Sequence, residues 1–489
     1  MLPDTWIEDT QSICPICRRL LEAQLVERGG QVLMRKTCPE HGAFEALVFS
    51  DADLFQRIKP FNKPGVRPLE FAAAVKDGCP WDCGLCPEHR QHLCLGLIEV
   101  TSACNLECPL CFANSSPTNH SFELSYEQVN FMLDRFVATE GQPEVVQFSG
   151  GEPSLHPQIL EFIALAQQKG ISYVMLNTNG LRIAHDDRFL EGLARLKPHI
   201  YLQFDGFDPQ TNLALRGRSD LLDLKLRALE RLAAADLRVV LTPAVERGVN
   251  DHEVGRIVEF GLQHPAVFGV SFQAAFHAQR HLAGDPLQRM TLPDILQALE
   301  KQTNGLFTVA DFVPIPCCAP TCGFATYAML SSQAVTPIPR VLPVDVYLNY
   351  IQNRSMPDLD AGLLRLLESL WSAGAKVGAP EIAQQTAERF WQAAPQSLTP
   401  SAGGQGETGW TAERCQSCRV GLPFSQHQPR DLGRHIFMIS VRDFMDAWTF
   451  DVKDIHKCCI GVLTPDGRSV PFCAYNSAGY RQQLCAGSD

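Results

Sequence analysis

Two copies of one cysteine spacing constrain this chain more than any other feature of its sequence. Both have the pattern CxxxCxxC, and they comprise Cys79, Cys83 and Cys86 in the first copy and Cys104, Cys108 and Cys111 in the second. A cubane [4Fe–4S] cluster needs four ligands, so a loop with three thiolates leaves one iron open to a substrate or cofactor. Cys94 follows the first copy closely, whereas the second copy has no further cysteine until Cys317. We therefore predict a closed auxiliary cluster on Cys79, Cys83, Cys86 and Cys94, and an open, reactive cluster on Cys104, Cys108 and Cys111.

Structural zinc sites and disulfides are the alternatives for these cysteines. Paired zinc ligands usually have two residues between them, and a three-residue gap followed by a two-residue gap fits that spacing poorly. The chain has 19 cysteines, and its acidic N-terminal stretch lacks the apolar segment of a signal peptide. The lack of a signal peptide predicts a cytoplasmic protein. In the reducing cytoplasm, clustered cysteines bind metals more often than they form disulfides.

Size and charge narrow the functional classes. With 489 residues, of which 45% are hydrophobic, the chain can form two or three globular domains. No run of 18 apolar residues exists, so we expect no transmembrane segment. The net charge of 42 − 54 = −12 argues against a sequence-independent grip on nucleic acid.

The region between Cys111 and Cys317 contains no cysteine and alternates apolar strands with amphipathic helices. The predicted strands are 95–101, 144–150, 172–179, 199–206, 238–245 and 267–273. Ser125 is a predicted helix cap, Gly170 is the predicted end of the next helix, and Ser219 precedes a third helix that runs to Ala235.

Six such strands joined by helical crossovers form a parallel sheet, either an open doubly wound sheet or an incomplete barrel. We predict an α/β fold with a partial (β/α)6 barrel. In both architectures the ligand lies at the carboxyl ends of the strands. Strand one leads into the Cys104–Cys111 loop, strand two ends at Gly150-Gly151-Glu152, and strand three ends at Asn177 and Asn179. Turn chemistry alone explains any one of these ends, but their common position favours a site.

This combination resembles the radical S-adenosylmethionine (SAM) superfamily, and the sequences CNLECPLC and GGEP carry the resemblance. The resemblance implies that SAM chelates the open iron and that an electron from the cluster releases a 5′-deoxyadenosyl radical. It implies that Gly150, Gly151 and Glu152 meet the methionine amino group, while Asn177 and Asn179 face the ribose.

The similarity extends beyond the core to CPIC…CPEHG (14–42), PCCAPTC (316–322) and PDGRSVPFCAYN (465–476). This order resembles a subgroup that contains the class D pterin methyltransferases and the tetraether lipid synthases. Two features depart from that pattern: the cysteine doublets at 317–318 and 458–459, and the pair Cys415 and Cys418.

Further cysteines outside the core predict accessory metal sites. Cys14, Cys17, Cys38 and His41 have the spacing of a mononuclear zinc or iron site, with free buried thiols as the alternative. Cys458 and Cys473 flank a Pro-Asp-Gly turn, which predicts a hairpin that brings them together. With Cys317 and Cys322 they form a predicted second auxiliary cluster, in which Cys318 and Cys459 are the less favoured members of their doublets. Buried, unligated cysteines are the alternative there as well. Cys415 and Cys418 either bind a metal or are incidental.

The predicted organisation follows these groups. It comprises a metal-binding ribbon (1–70), an auxiliary cluster segment (71–94), the partial barrel (95–290), a helical region with cysteines (291–395), a flexible linker (396–412) and a C-terminal auxiliary cluster region (413–489). The linker is rich in Ser, Gly, Gln and Pro.

Three functions are consistent with this organisation. The first is methylation of a small heterocycle such as a pterin, with the methyl carbon from a folate-type donor. The second is the coupling of lipid chains, and the third is a non-catalytic iron–sulfur electron carrier, which would have no use for a SAM site. An enzyme of this type needs a one-electron reductant such as ferredoxin or flavodoxin. His277, Arg280 and His281, just beyond strand six, are the candidates for substrate contact, with a solvated loop as the alternative.

Overall fold

The computed structural model describes residues 3–119, 121–281, 284–331, 334–342 and 435–486. The predicted helices of 358–394, the linker of 396–412, and Cys415 and Cys418 lie outside these residues. The described residues fall into two compact units. The first contains the residues up to Ala325 and those from Met438 onward, and the second contains the described residues between them. Within the described residues, no helix combines the length and apolarity that crossing a bilayer requires.

The first unit begins with an antiparallel sheet. Its strands pair in chain order and are β1 (Thr5–Ile13), β2 (Leu20–Arg28), β3 (Gln31–Cys38) and β4 (Gly42–Phe49). Helix α1 (Ala52–Ile58) follows, capped by Asp51, whose side chain accepts from the Leu54 amide, and a 3-10 turn spans Lys59–Phe61. This sheet rests on the C-terminal part of the unit through Lys36, whose buried Nζ donates to the carbonyls of Ala447 and Trp448 at 2.7 and 2.9 Å.

The core is a parallel sheet with its strands in chain order. These are β5 (Leu95–Thr101), β6 (Val145–Gly150), β7 (Tyr173–Thr178), β8 (His199–Gln203), β9 (Val239–Thr242), the short β10 (Ala244–Val245) and β11 (Val267–Ala274). A doubly wound sheet reverses its strand order at a switch point, and this sheet does not. The predicted α/β fold with a parallel core is therefore confirmed, in the strand order of a partial barrel.

Helices α2 to α8 connect these strands and follow them. They are α2 (Tyr126–Glu140), α3 (Ile159–Gln168), α4 (Asp187–Leu196), α5 (Pro209–Arg216), α6 (Leu221–Ala234), α7 (Val254–Gln263) and α8 (Leu292–Gln302), with 3-10 turns at Pro153–Leu155 and Val309–Asp311. Ser125 caps α2 in a reciprocal capping box with Gln128, as predicted. Gly170 follows α3 with φ +79°, also as predicted. The predicted start at Ser219 is one residue early, because Asp220 occupies the N-cap of α6.

The remaining strands extend the sheet at both ends. They are β12 (Val313–Pro314), β13 (Gly323–Leu330), β14 (Val335–Pro337), β15 (Ile436–Arg442), β16 (Ile460–Leu463) and β17 (Ser469–Pro471). β15 pairs in parallel with β11, and β16 pairs in parallel with β5. β16 and β17 form the predicted hairpin around Pro465-Asp466-Gly467.

Three helices complete the described C-terminal part, and each is short. They are α9 (Val452–Ile455), α10 (Phe472–Ser477) and α11 (Tyr480–Ala486). In the second unit, β14 pairs antiparallel with the later part of β13 through Ala328 and Pro337, and a 3-10 turn spans Ile338–Arg340.

The core lies where the parallel strands meet their helices. Phe148 on β6 and Phe162 on α3 are fully buried, with ring centroids 6.2 Å apart, and each such burial contributes about 1.5–3 kcal/mol. Because both faces are packed, the strands are mostly apolar, and several of the polar residues that they do carry lie at their carboxyl ends. That edge carries the candidate site.

Candidate functional site

The second cysteine triplet lies on the loop that follows β5. Cys104, Cys108 and Cys111 line one pocket at the carboxyl edge of the sheet. The loop is anchored by backbone bonds, because the Cys111 amide donates to the Arg280 carbonyl at 2.9 Å and the Leu110 amide to the Leu215 carbonyl at 3.3 Å. Burial and then the Glu152 carboxylate raise the pKa of Cys104 to about 12. At neutral pH this thiol therefore needs a bound metal to become a thiolate.

Gly150 and Gly151 bring the end of β6 against the start of this loop. A Cβ at Gly150, where φ is +128°, would lie 2.4 Å from the Thr101 carbonyl oxygen, and one at Gly151 would lie 2.2 Å from that of Ala103. The Gly151 amide donates to the Thr101 carbonyl at 2.7 Å. No side chain fits there, so the glycine pair fixes the spacing between the cluster loop and the end of β6.

Glu152 connects the ends of β6 and β7. Its buried carboxylate accepts from the hydroxyl of Thr178 at 2.6 Å, from the Asn179 amide at 2.8 Å and from the Ser154 amide at 3.1 Å. A carboxylate accepts about four hydrogen bonds, so one position is left for a cationic ligand. Burial raises the pKa of Glu152 in spite of these donors.

The predicted ribose residues lie in the same pocket. Asn177 and Asn179 both line it. The Asn179 side-chain amide donates to Asn105 Oδ1 at 2.7 Å, and that of Asn177 donates to Ser149 Oγ at 3.3 Å. Their side chains are thus held between the cluster loop and the strand ends.

A buried charge cluster behind the cluster loop was not predicted as part of the site. Asp205, after β8, pairs with Arg216 of α5 at 2.6 and 2.7 Å, and both side chains are almost fully buried. Arg216 also donates to the Leu110 carbonyl and lines the cysteine pocket. Although burial opposes it, the Arg216 guanidinium holds the pKa of Asp205 below its usual range. Asp205 lies near the end of the predicted strand 199–206, which marks it as a possible site residue. No pattern in the sequence indicates that Arg216 is its partner.

Lys225 of α6 adds a second buried cation to this cluster. Its Nζ donates to the Gln203 carbonyl at 2.5 Å and to the side-chain oxygen of the same residue at 3.2 Å. Burial lowers the pKa of Lys225 to about 8. Two cations thus lie behind a loop of thiols, where they would offset the negative charge of thiolates that hold a metal cluster.

The N-terminal ribbon brings together the four predicted ligands of a single ion. The ligand atoms of Cys14, Cys17, Cys38 and His41 all lie within 4.8 Å of one another. Cys38 Sγ is 3.4 Å from His41 Nδ1, and Cys17 Sγ is 3.8 Å from Cys38 Sγ. Tetrahedral zinc with bonds of about 2.3 Å to sulfur needs ligand separations of roughly 3.8 Å. The geometry fits a mononuclear metal.

Cys94 lies with Cys317 and Cys459, and this grouping differs from the predicted one. The three Sγ atoms are within 4.8 Å of one another and buried, with Cys317 Sγ 3.6 Å from Cys459 Sγ. The reason is the parallel pairing of β16 with β5, which puts Ile460 opposite Leu95 and lets the Cys94 amide donate to the Cys459 carbonyl at 2.9 Å. Cys318 and Cys322 pack against the same buried cluster.

The first CxxxCxxC copy has other neighbours. Cys83 and Cys473 belong to one buried cluster, against which Cys79 packs. The Cys79 thiol raises the pKa of Cys83, and Cys86 and Cys458 add to that effect through their charge. The two members of the doublet thus differ in their neighbours: the charge of Cys458 acts on Cys83, whereas Cys459 Sγ lies with that of Cys94.

The segment beyond β11 lies beside the cluster loop. The His277 and His281 rings lie with centroids 4.1 Å apart and are tilted by 32°, and His281 Nε2 is 3.3 Å from the Glu246 carboxylate. Arg280 donates to the Ser115 carbonyl. Burial lowers the pKa of His277 to about 4, so this ring is neutral at physiological pH.

Comparison with known proteins agrees with this geometry. The family model for the radical SAM superfamily matches residues 98–261, and the model "HMPTM N-terminal zinc ribbon domain" matches residues 6–50. A Methanocaldococcus jannaschii protein named 7,8-dihydro-6-hydroxymethylpterin dimethyltransferase is 32% identical over 97% of this chain and 94% of its own length.

Other matches cover smaller parts of the chains. The GTP 3′,8-cyclase of Chlorobaculum tepidum is 33% identical over 34% of this chain and 49% of its own. The crystal structure of Streptococcus suis SuiB bound to S-adenosylmethionine aligns with a TM-score of 0.35 and 16% identity, over 44% of this chain and 47% of that one.

The predicted superfamily is confirmed by these matches, and with it the cofactors of that superfamily, a [4Fe–4S] cluster and SAM. The ribbon and the further cysteine groups add metal sites to this core. The chain is therefore a radical SAM enzyme and belongs to the same family as the M. jannaschii protein.

Proposed function

We propose that this enzyme methylates a carbon of a small nitrogen heterocycle of the pterin type. The observation that carries the proposal is the match to a protein named as a pterin dimethyltransferase, which extends over 97% of this chain and includes the ribbon as well as the core. The second support is a cavity of about 210 Å³ beside Gly150 and Gly151, which combines apolar surface with mostly polar lining residues. Such a mixed lining suits a flat heterocycle with polar edges better than the alkyl chain that lipid coupling requires.

The residues of the cluster loop fit the cluster that the superfamily implies. We assign Cys104, Cys108 and Cys111 as its ligands, since their thiols line one pocket. The three thiols share that pocket with Glu152, the Asn179 side chain and a buried cation, Arg216. This donor set leaves room for a bound cofactor with an ammonium group beside a carboxylate.

When bound, the reduced cluster and SAM supply one-electron cleavage of a carbon–sulfur bond and a primary carbon radical that removes hydrogen from C–H bonds. The chain's own residues position and shield that chemistry. Glu152 is proposed to accept the ammonium of SAM, with Gly150 and Gly151 keeping β6 close to the loop. Asn177 and Asn179 are proposed to bind the ribose. Arg216 balances thiolate charge next to Leu110.

The auxiliary cysteines are proposed in a grouping that follows the geometry. Cys94, Cys317 and Cys459 form one metal centre, with Cys318 or Cys322 as the fourth ligand. The other centre uses Cys79, Cys83, Cys86 and Cys458. The adjacent Cys458 and Cys459 thus serve different centres, as their diverging side chains favour. The ribbon residues Cys14, Cys17, Cys38 and His41 are proposed to bind one zinc or iron ion.

His277, Arg280 and His281 are proposed to act next to the substrate. The backbone of Arg280 pairs with that of Cys111, and the Arg280 side chain donates to the loop, so Arg280 positions the cluster loop. A small protein such as ferredoxin or flavodoxin is proposed as the electron donor, since the reaction consumes one electron for each cleavage of SAM.

The experiment is anaerobic reconstitution followed by reduction with dithionite in the presence of SAM, a 7,8-dihydropterin and a folate-type donor of the methyl carbon. We expect 5′-deoxyadenosine and a pterin product with added methyl carbon, detected by mass spectrometry. A variant with Cys104, Cys108 and Cys111 replaced by alanine should form neither, yet keep the iron of the auxiliary centres. If 5′-deoxyadenosine forms while no heterocycle gains carbon and an isoprenoid lipid is coupled, the pterin assignment is wrong.

A further inference from the structure

A cavity with mostly polar lining residues and some apolar surface borders the candidate SAM site on the side of β5 and α11. Ala113, Ser115, Gly150 and Gly151 line both the cysteine pocket and this cavity. The cavity has a volume of about 210 Å³, smaller than the roughly 300–1,000 Å³ of pockets for drug-sized ligands. A ligand here would be a single small ring system in direct contact with the backbone that borders the SAM site.

The floor of the cavity is a buried ion pair. Arg481 Nη1 and Nη2 donate to the Glu99 carboxylate at 2.7 and 2.6 Å, and both side chains are at least 94% buried. Asn476 Oδ1 accepts from Arg481 Nε at 3.1 Å, and Tyr475 donates its hydroxyl to Glu99 Oε2 at 3.3 Å. The pair is therefore rigid, and its geometry does not depend on the ligand.

Glu99 keeps acceptor capacity within this arrangement. Its carboxylate accepts three hydrogen bonds, two from Arg481 and one from Tyr475, and about four positions are available. Because Glu99 lines the cavity, the remaining position suits an N–H donor of a bound ligand.

The rest of the lining has mixed donors and acceptors. Asn119, Ser121, Gln279 and Gln482 contribute amides and a hydroxyl, each of which both donates and accepts. Their groups match a ring with lactam and amidine edges, in which N–H and C=O groups alternate. An alkyl chain would offer no further hydrogen bond to these groups or to the remaining acceptor position of Glu99, whereas a heterocycle would.

We propose that this cavity binds the substrate as a planar nitrogen heterocycle, and that Glu99 determines specificity by accepting a ring or amino N–H, with Arg481 as its positioning residue. The proposal rests on the function proposed above, because it identifies the binding site of that reaction. The new element is the hydrogen bond from a ring N–H of the substrate to Glu99. This bond would make the enzyme selective for rings that carry an N–H group at their edge.

The test measures binding of three probes to the anaerobically reconstituted holoenzyme with SAM: 6-hydroxymethylpterin, guanine and stearate. Glu99→Gln keeps the shape and removes the charge, so we expect heterocycle affinity to fall at least tenfold. Glu161→Gln, on the exposed face of α3, is the matched control and should bind like the wild type. Equilibrium binding of SAM is measured on the same samples: heterocycle affinity that falls while SAM still binds supports the proposal, whereas a parallel loss of both would mean that Glu99 acts on the SAM site and would overturn it.

Asn119→Ala, at the rim, provides a second variant that does not disturb the ion pair, and it should weaken heterocycle binding severalfold. Heterocycle affinity that is unchanged in Glu99→Gln, or binding of stearate alone, would overturn the proposal. Guanine binding that depends on Glu99, together with no binding or methylation of the pterin, would support the cavity assignment and refute the pterin function. The two proposals therefore fail separately.

Discussion

Replacing Arg216 with leucine should strongly destabilise the first unit, because it leaves a buried carboxylate without its partner. The side chains of Arg216 and Asp205 are 8% and 0% exposed, and they share two hydrogen bonds of 2.6 and 2.7 Å. Removing one member of such a pair costs about 3–5 kcal/mol. The bond from Arg216 to the Leu110 carbonyl is lost as well, so the cluster loop should loosen.

The matched control lies two residues further along the chain. Arg218 and Asp220 make the same two-bond contact, at 2.7 and 2.9 Å, but their side chains are 41% and 66% exposed. An exposed pair contributes only about 0–1 kcal/mol. Urea unfolding of the reconstituted protein, followed by circular dichroism, should therefore separate Arg216→Leu from Arg218→Leu by at least about 2 kcal/mol.

The pH dependence gives a second, independent check. In the wild type Arg216 keeps the pKa of Asp205 low, so the stability from this group is present above its unfolded pKa of about 3.9 and is lost only in stronger acid. Without Arg216, burial should raise that pKa, and protonation then relieves the unpaired charge. The destabilisation of Arg216→Leu should thus shrink between pH 7 and pH 5. Equal effects of the two leucine variants, or a gap that does not change with pH, would refute the reasoning.

Three further predictions follow from the geometry. Gly151→Ala should lower SAM affinity and cluster content, because its Cβ would lie 2.2 Å from the Ala103 carbonyl oxygen. Equilibrium binding and iron analysis measure the two quantities, and unchanged values would contradict the role of the glycine pair. Cys459→Ala should lower the amount of iron in the auxiliary centres, counted by Mössbauer spectroscopy, while 5′-deoxyadenosine still forms. An unchanged amount of iron in those centres would contradict the grouping of Cys459 with Cys94. His41→Ala should remove one zinc or iron ion per chain by elemental analysis and lower the melting temperature, whereas an unchanged metal content would exclude His41 as a ligand.

Strands and caps could be predicted from the sequence because they depend on local patterns. The apolar run at 95–101 matches β5 to the residue, and Ser125 caps its helix as expected. The predicted strand 238–245 instead breaks at Pro243, which lacks the N–H that continues a ladder. The predicted strand 199–206 ends at Gln203, before the buried Asp205 turns toward Arg216.

The grouping of the cysteines could not be predicted, because it depends on pairing between distant segments. Cys94 is near Cys86 in sequence, and that proximity suggested one cluster. The structure pairs β16 with β5 across more than 300 residues, and this register puts Cys459 beside Cys94. No local pattern carries that information. The partnership of Glu99 with Arg481 is equally remote, although a lone acid in an apolar strand marks Glu99 as unusual.

Electron–nuclear double resonance on the reduced enzyme with SAM carrying ¹⁵N in its amino group would test the central claim most directly. If the cluster on Cys104, Cys108 and Cys111 has an open iron, the spectrum should show strong ¹⁵N coupling that disappears in Cys108→Ala and persists in Cys459→Ala. Intact clusters without any ¹⁵N coupling would mean that no iron is open to SAM, and the account of this enzyme would be wrong.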